Sequence, residues 1–306
     1  MNPIKTVDYN SKVTCILNNL NEENVFTKFN KLLKLAPKMT ELDTQGKENP
    51  LVLNSANIKF LTNNFSAFTK LESLTIHGKY DQKFDDEGAQ AVAQLIRKTK
   101  CLSVVNFNHH NVTSKGVARI AKALYKNKTV EELRLKDNKI DGDGANSLAE
   151  MLYKNKKLSL LSLSGNTLVG PSYGTGALAE ACKVNKILKR LDLSRCEIDN
   201  DGVDAIISML EENRTLEGLC LIDNPLRDRI VDLVEALKTH PSMKDLNINA
   251  CDIGNKGAKA VAELIETDSP LETLYLNVNG IGNNGAKRLA KSLSYNSHLK
   301  ALHLNG

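Results

Sequence analysis

Cysteine and histidine are the residue types in this sequence that most readily suggest metal or nucleophilic chemistry. The six cysteines contain no C-x-x-C pair, and the six histidines are too scattered to complete a zinc site. The sequence also lacks the phosphate loop G-x-x-x-x-G-K-[ST] and the metalloprotease motif H-E-x-x-H. We therefore expect a protein that is not an enzyme and that holds no metal or cofactor.

A sequence repeat determines the strands and helices on which any functional site would lie. Residues 130–157, VEELRLKDNKIDGDGANSLAEMLYKNKK, show it most clearly. The first apolar residues of the units are Leu71, Leu102, Val130, Leu158, Leu188, Leu216, Met243, Leu271 and Leu299. Successive differences between these numbers lie between 27 and 31, and a period in this range indicates a repeat architecture.

Each unit combines a strand pattern with a helix pattern. Leu133 and Leu135 alternate as in a strand with one buried face, whereas Leu148, Ala149 and Leu152 form a stripe along a helix. Strands that recur in this order with an intervening helix lie parallel, with right-handed crossovers. Because strands pair about 4.8 Å apart and helices pack about 8–10 Å apart, the array must bend with its strands inside.

The consensus L-x-x-L-x-L-x-x-N-x-I-x-x-x-G-A-x-x-L-A-x-x-L-x-x-N resembles the leucine-rich repeat of the ribonuclease-inhibitor-like class. The resemblance implies an α/β fold, a right-handed leucine-rich-repeat solenoid or horseshoe, with parallel β-strands on the concave face and α-helices on the convex face. We expect residues 1–38 to form an N-terminal helical cap. Residues 39–306 would form the repeat domain, with a degenerate first unit (39–70) and an incomplete last unit.

Residues typical of helix boundaries recur with the same period. The candidate N-caps are Asp86, Ser114, Gly142, Ser172, Asn200, Asp228, Asn255 and Asn283. The candidate helix ends are Asn127, Asn155, Asn185, Asn213 and Asn296. We expect these last asparagines to adopt the left-handed conformation.

The repeat also accounts for several reactive side chains. Cys196, Cys251 and His110 stand where other units have the asparagine after the strand, and Cys182 stands at an apolar helix position. Among the three remaining cysteines, only Cys220 is expected on the concave face. We therefore expect reduced, structural thiols, which agree with a cytoplasmic location.

The composition, 41% hydrophobic and 25% charged, is typical of a soluble protein. The sequence contains neither an apolar run long enough for a membrane span nor an apolar secretion signal near its start, so we expect no integral membrane association. The abundance of asparagine and lysine, taken with the resemblance, also suggests an effector that an intracellular bacterium secretes into the host-cell cytosol.

The exposed face of the strands is the candidate binding surface for a protein partner. Its candidate contact residues are Arg134, Lys136, Arg190, Asp192, Arg195, Asn247, Asn249, Tyr275, Asn277 and His303. Tyrosine and arginine are enriched at binding hot spots, and the strands would present a strip about 40 Å long. In the alternative interpretation the face is simply solvated, and charges such as Arg134 and Asp192 pair with each other.

Basic side chains cluster where the helices are expected to end. They are Arg97, Lys98, Lys100, Lys126, Lys128, Lys154, Lys156, Lys157, Lys183 and Lys186. Lysine complements the helix dipole at such positions, so we expect only weak, salt-sensitive binding to anionic surfaces. Nucleic acid is not expected as a partner, because the net charge is only +5.

Two functional hypotheses follow. The first is a non-enzymatic scaffold for protein–protein recognition. The second is a GTPase-activating or other catalysis-assisting protein, because the Ran GTPase-activating proteins have units of similar length. The sequence ends just after Leu299, Leu302 and Leu304 open a further unit. We expect either further repeats beyond this point or a symmetric dimer that covers the last strand, and we favour further repeats and a monomer.

Overall fold

The computed structural model describes residues 34–43, 63–64, 67–78, 83–168 and 174–305. Within these ranges, ten strands form one parallel sheet whose order follows the chain. The strands are β1 (Glu41–Asp43), β2 (Ser73–His77), β3 (Val104–Asn108), β4 (Glu132–Arg134), β5 (Leu160–Ser162), β6 (Arg190–Asp192), β7 (Gly218–Cys220), β8 (Asp245–Asn247), β9 (Thr273–Tyr275) and β10 (Ala301–His303). Equivalent residues of neighbouring strands pair directly, as Leu161, Leu191 and Leu219 do.

Eight α-helices of the described ranges alternate with these strands. They are α1 (Asp86–Lys98), α2 (Ser114–Leu124), α3 (Gly142–Lys154), α4 (Gly174–Val184), α5 (Asn200–Glu212), α6 (Ile230–Lys238), α7 (Gly254–Ile265) and α8 (Asn283–Leu293). Each helix packs chiefly on the helices next to it in the chain. The architecture confirms the predicted α/β solenoid, with parallel strands on its concave face and helices on its convex face.

The hydrophobic core lies between the sheet and the helices. The central leucine of the short strands β4 to β9, such as Leu133 or Leu219, points inward and is at most 2% exposed, whereas Leu302 of the last strand, β10, is only partly buried. Leu148 and Leu152 of α3 belong to the same buried cluster. Burial of one leucine stabilises a protein by roughly 1.5–3 kcal/mol, so the repeated leucines fix which strand side chains face outward.

Five helix N-caps lie one residue before the predicted residue, including Gly282 before Asn283. Asp228 lies instead in the 3₁₀ helix Arg227–Arg229, and Ser172 lies outside the described ranges. The capping side chains, which accept a backbone N–H of the first turn, belong to Asp85, Thr113, Asp141 and Asp199. The predicted residues instead link neighbouring units. Asp86 accepts hydrogen bonds from the amide and the hydroxyl of Thr113, at 2.9 and 2.7 Å. Asn255 accepts the amides of Gly282 and Gly285 at 3.0 and 2.9 Å, so it caps the next helix rather than its own.

The asparagines at the helix ends are not left-handed, contrary to the prediction. Asn155 and Asn213 have extended backbones, with φ of −66° and −71°. The Asn155 side chain donates to the Leu124 carbonyl at 2.7 Å and accepts the amides of Lys157 and Leu158 at 2.8 and 2.7 Å. Equivalent bonds are made by Asn127, Asn185, Asn213 and Asn296. These side chains form a ladder that ties each helix end to the preceding one.

A second ladder follows the strands. The Asn166 side chain donates to the carbonyls of Leu135 and Leu163 at 2.9 and 2.7 Å, and it accepts the amide of Ile140 at 3.1 Å. His110 takes the same position in its unit: its ring Nδ1 accepts the amide of Phe84 at 3.2 Å. The thiols of Cys196 and Cys251 donate to carbonyls of the preceding unit at 3.4 and 3.2 Å. The expectation that these three residues are repeat substitutions is confirmed.

The N-terminal part of the chain is described only in pieces. Met39 and Leu42 are buried, and β1 pairs with β2, so this segment contributes the first strand of the sheet in the described ranges. Residues 1–33 and 44–62 lie outside the described ranges, so the division into a cap (1–38) and a repeat domain (39–306) stays a prediction. No helix among the described residues is sufficiently long and apolar to cross a membrane.

Candidate functional site

The pairing register places outward-facing side chains of successive units in rows on the concave face. The row at the third strand position contains Arg134, Ser162, Asp192, Cys220, Asn247, Tyr275 and His303. The row at the first position contains Glu132, Leu160, Arg190, Gly218, Asp245, Thr273 and Ala301. Five of the predicted contact residues lie in the row at the third position (Arg134, Asp192, Asn247, Tyr275 and His303), whereas only Arg190 lies in the row at the first position.

A depression of about 390 Å³ lies in the middle of this face, over β5 to β8. Six of the predicted contact residues line it: Arg134, Lys136, Arg190, Asp192, Asn247 and Tyr275. Arg195, Asn249, Asn277 and His303 lie outside it. The sequence analysis missed Leu160, Gly218 and Asp245, which also line the depression. Reading the first strand position along the units would have revealed a glycine between an arginine and an aspartate.

An ion pair spans the glycine in this depression. Arg190 and Asp245 flank Gly218 in the register, and the Arg190 guanidinium lies 3.0 Å from the Asp245 carboxylate. Because Gly218 contributes no side chain at this position of β7, the two groups meet over its backbone. The Arg190 side chain remains 61% exposed, so it is held in place and is still available to a partner.

A similar arrangement recurs at the strand ends. Arg195 lies 3.4 Å from Asp137, which belongs to the unit two before it, and Gly165 occupies the unit between them. A Cβ atom on Gly165 would collide with the Asp137 carboxylate. Lys136 and His109 also approach this carboxylate, at 3.8 and 3.0 Å. Burial lowers the pKa of His109, and the Asp137 charge opposes that shift only in part.

Other predicted contact residues already have partners within the fold. Arg134 pairs with Glu132 of its own strand at 2.7 Å, so the suggested pairing of Arg134 with Asp192 is wrong. Asp192 accepts the hydroxyls of Ser162 and Ser194 at 2.7 and 2.6 Å instead. The mixed charges of this surface are therefore fixed in position by short local contacts.

The polar end of the face is also built into the fold. Asn249 and Asn277 accept the backbone amides of Asn277 and Asn305 at 2.7 and 2.8 Å, which continues the strand ladder past the strand ends. Tyr275 stacks on His303 with ring centroids 4.3 Å apart and planes inclined by 7°. The stacking contact holds the Tyr275 ring in place, and this ring lines one end of the depression.

The buried thiols are protonated at neutral pH. Burial raises the pKa of Cys182, Cys196 and Cys251 to about 12, and it also raises the pKa of the half-buried Cys220. A thiol with a raised pKa is a poor nucleophile and a poor metal ligand. Among the described residues, no cluster of His, Cys, Asp and Glu side chains is arranged to hold a metal ion.

One motif of nucleophilic chemistry was overlooked in the sequence. Residues 170–174 read Gly-Pro-Ser-Tyr-Gly, which has the form G-x-S-x-G of a nucleophile elbow. In such an elbow the serine sits on a sharp turn directly between a strand and a helix. Ser172 instead follows Ser162, the last residue of β5, by ten positions, and it lies outside the described ranges. This spacing does not fit an elbow.

Comparison with known proteins identifies the repeats. A leucine-rich-repeat family model matches residues 126–149, 184–206, 239–262 and 267–290. The mouse centrosomal protein of 78 kDa is 29% identical to this chain over 180 residues, which cover 59% of the chain and 22% of that protein. The chain thus spans about a fifth of the length of this relative.

Two solved structures show weaker likeness. Actin-binding site 2 of leiomodin-1 aligns with a TM-score of 0.34 and 17% identity, covering 55% of this chain and 79% of that one. The tropomodulin C-terminal domain of Caenorhabditis elegans aligns with a TM-score of 0.42 and 11% identity, covering 51% of this chain and 93% of that one.

Proposed function

We propose that this leucine-rich-repeat protein is a non-enzymatic recognition scaffold that binds a protein partner through its concave face. The observation that carries the proposal is the depression on the concave face. It combines a notch, which is the gap left by the missing side chain of Gly218, with the exposed Arg190 and with Tyr275, which is stacked on His303. Hot spots of protein interfaces typically place such anchors in a central pocket. The acidic and basic groups around it would fix the orientation of the partner.

The contacts within the face support recognition rather than a merely solvated surface. Arg190 and Asp192 are held by partners while keeping part of their surface exposed. A side chain that is already ordered loses less conformational entropy on binding. This preorganisation suits a partner with a protruding side chain, which would enter the notch at Gly218.

Further parts of the proposal concern class and location. The unit length and the full helix in most units support assignment to the ribonuclease-inhibitor-like class. The thiols of Cys196 and Cys251, which donate hydrogen bonds only when reduced, support a cytoplasmic location. A role as a bacterial effector in the host cytosol stays part of the proposal on compositional grounds alone.

Affinity capture from a eukaryotic cell lysate tests the face directly. The wild-type chain is compared with a variant carrying Arg190→Ala and Tyr275→Ala, and with a control carrying Arg288→Ala and Tyr295→Ala, the same residue types at helix α8. We expect a specific partner to be lost from the first variant and retained by the control. Equal retention by both variants would refute the concave-face assignment. Stimulated GTP hydrolysis in a panel of small GTPases would favour the catalysis-assisting hypothesis instead.

A further inference from the structure

A second surface of the molecule lies where helices α2 and α3 end. The sequence Tyr-Lys-Asn-Lys occurs there twice, one unit apart, as residues 125–128 and 153–156, and Lys157 follows the second copy. Tyr125 and Tyr153 are 39% and 44% exposed, which is unusual for large side chains of this protein. The two copies place the same aromatic and basic groups side by side on one edge of the solenoid.

The two copies enclose a trough. A depression of about 490 Å³ lies between them, and its lining residues are Tyr125, Lys126, Asn127, Lys128, Lys154, Lys156 and Lys157. Tyr125 and Lys126 also line a neighbouring depression of about 610 Å³. The floor of this second depression includes Ala118, Ala121 and Ala123 of α2. The basic trough, as we call the two depressions together, therefore joins a cationic part to a part with small apolar side chains.

The fold requires the asparagines of the trough but not its lysines. The side chains of Asn127 and Asn155 are committed to the helix-end ladder. Among the described residues, Lys126, Lys128 and Lys156 form no ion pair and donate no side-chain hydrogen bond, and the same holds for Lys154. Lysines complement the helix dipole only near the last turn, and Lys126, Lys128 and Lys156 lie after the helices end at Leu124 and Lys154.

Two other helix ends of the solenoid, those of α4 and α6, carry paired charges. Lys183 contacts Glu180 and Glu212 at 2.8 and 3.2 Å. Lys238 contacts Glu235 and Glu263 at 2.7 and 3.8 Å. The one carboxylate among the residues that line the basic trough is Glu150, and Lys157 pairs with Glu131. Among the described residues, Arg97 and Lys98 in the last turn of α1 also form no ion pair, so unpaired basic side chains run over the ends of α1, α2 and α3.

We propose that the basic trough binds an extended acidic peptide segment of a partner protein. Charge complementarity selects an acidic ligand, and Tyr125 and the alanines would accept an apolar side chain of that ligand. Helix ends about 8–10 Å apart give three neighbouring units a span of roughly 20 Å, which matches about six extended residues. A bilayer surface fits less well, because it is flat and would not enter a trough.

This surface is separate from the concave face, so the inference does not depend on the proposed function. It also goes beyond weak binding to anionic surfaces, because Tyr125 and the shape of the trough would contribute besides charge. Binding should weaken as salt is raised, since exposed charges are screened with a Debye length of about 8 Å at physiological ionic strength.

The probe is a fluorescein-labelled octapeptide of alternating glutamate and aspartate in which one residue near the centre is leucine. Its binding is measured by fluorescence polarisation. The trough variant carries Lys126→Ala, Lys128→Ala and Lys156→Ala. The control carries Lys259→Ala, Lys287→Ala and Lys291→Ala in α7 and α8, which changes the net charge equally. Circular dichroism and thermal melting establish that both variants fold.

We expect saturable binding that the trough variant weakens about tenfold and the control changes by less than about twofold. Tyr125→Ala, which leaves the charge unaltered, should weaken binding about threefold. Equal losses in the two lysine variants would show attraction by net charge alone and would overturn the proposal. Tighter binding of the wild type to phosphatidylserine vesicles than to the peptide, lost in the trough variant, would assign the trough to a lipid surface instead.

Discussion

The Arg190 guanidinium lies 3.0 Å from the Asp245 carboxylate, although the two residues belong to strands separated by β7. The contact is possible because Gly218 stands between them and contributes no side chain to the concave face. The same missing side chain creates the floor of the depression. One glycine therefore determines both the shape of the candidate site and the position of its most exposed arginine.

A double-mutant cycle on Arg190→Ala and Asp245→Ala measures this pair. We expect a coupling energy of about 0.2–1 kcal/mol in urea unfolding, because both groups are well exposed to solvent. In a Gly218→Ala background the coupling should decrease, since the added Cβ would lie 3.3 Å from Cγ of Arg190 and the arginine side chain would have to shift. Undiminished coupling in that background would show that the glycine does not position the pair.

Alanine substitutions at two glycines with positive φ distinguish the cost of backbone strain from the cost of a steric clash. Gly165 and Gly280 have φ of +70° and +63°, but only Gly165 would place a Cβ against another group, the Asp137 carboxylate. We expect Gly280→Ala to lower the free energy of unfolding by about 1 kcal/mol, and Gly165→Ala to lower it by about 2–3 kcal/mol. Equal losses in the two variants would mean that Asp137 moves aside at no cost.

Because the helix-end asparagines bridge neighbouring units, we expect substitution of one of them to lower the free energy of unfolding strongly. Asn155→Ala leaves the Leu124 carbonyl and the amides of Lys157 and Leu158 without their partner in a buried setting. We expect a loss of about 2–4 kcal/mol in the free energy of unfolding. Lys154→Ala, at the neighbouring exposed position, is the control and should change stability by less than about 0.5 kcal/mol. Similar effects at both positions would contradict the role given to the ladder.

Because His240 is buried, we expect the protein to lose stability as the pH falls. The residue is 1% exposed, and its Nε2 has no hydrogen-bond partner among the described residues. Burial, aided by the charge of Arg214, lowers the pKa of His240 to about 4. The unfolded chain takes up this proton near a pKa of about 6.5, so stability is lost as the pH falls from there towards 4.

Between pH 7 and pH 5 this histidine should remove about 2 kcal/mol from the free energy of unfolding. His240 stands at the ladder position that asparagine occupies in other units, so His240→Asn supplies a side chain without a titrating group. Urea unfolding at both pH values should show a smaller pH dependence in the variant than in the wild type. The same pH dependence in both proteins would remove His240 as its source.

The fold could be predicted from the sequence because each unit repeats the same burial pattern. The N-caps of α1 and α2 were predicted one residue too late because two capping residues stand side by side there, in Asp85-Asp86 and Thr113-Ser114. The first of each pair caps its own helix and the second bonds to another unit. Local propensity cannot distinguish them, since the difference arises from contacts between units.

The candidate site could be predicted only in part. The row from Arg134 to His303 follows directly from strand alternation. The depression depends on Gly218, and the true partner of Arg134, Glu132 rather than Asp192, depends on side-chain directions that strand periodicity does not contain. Tyr125 and Tyr153 were not predicted as contact residues. They lie among lysines whose presence was already explained by their complementarity to the helix dipole.

Photo-crosslinking tests the central claim, that the concave face binds a protein, most directly. A benzophenone amino acid replaces Asn247 at the wall of the depression or, as the control, the exposed Lys259 on α7. Both proteins are irradiated in the same eukaryotic cell extract, and adducts are identified by mass. The account predicts a discrete adduct from position 247 that disappears when Arg190→Ala is added, and none from position 259. An adduct formed only from position 259, or formed equally from both, would contradict it.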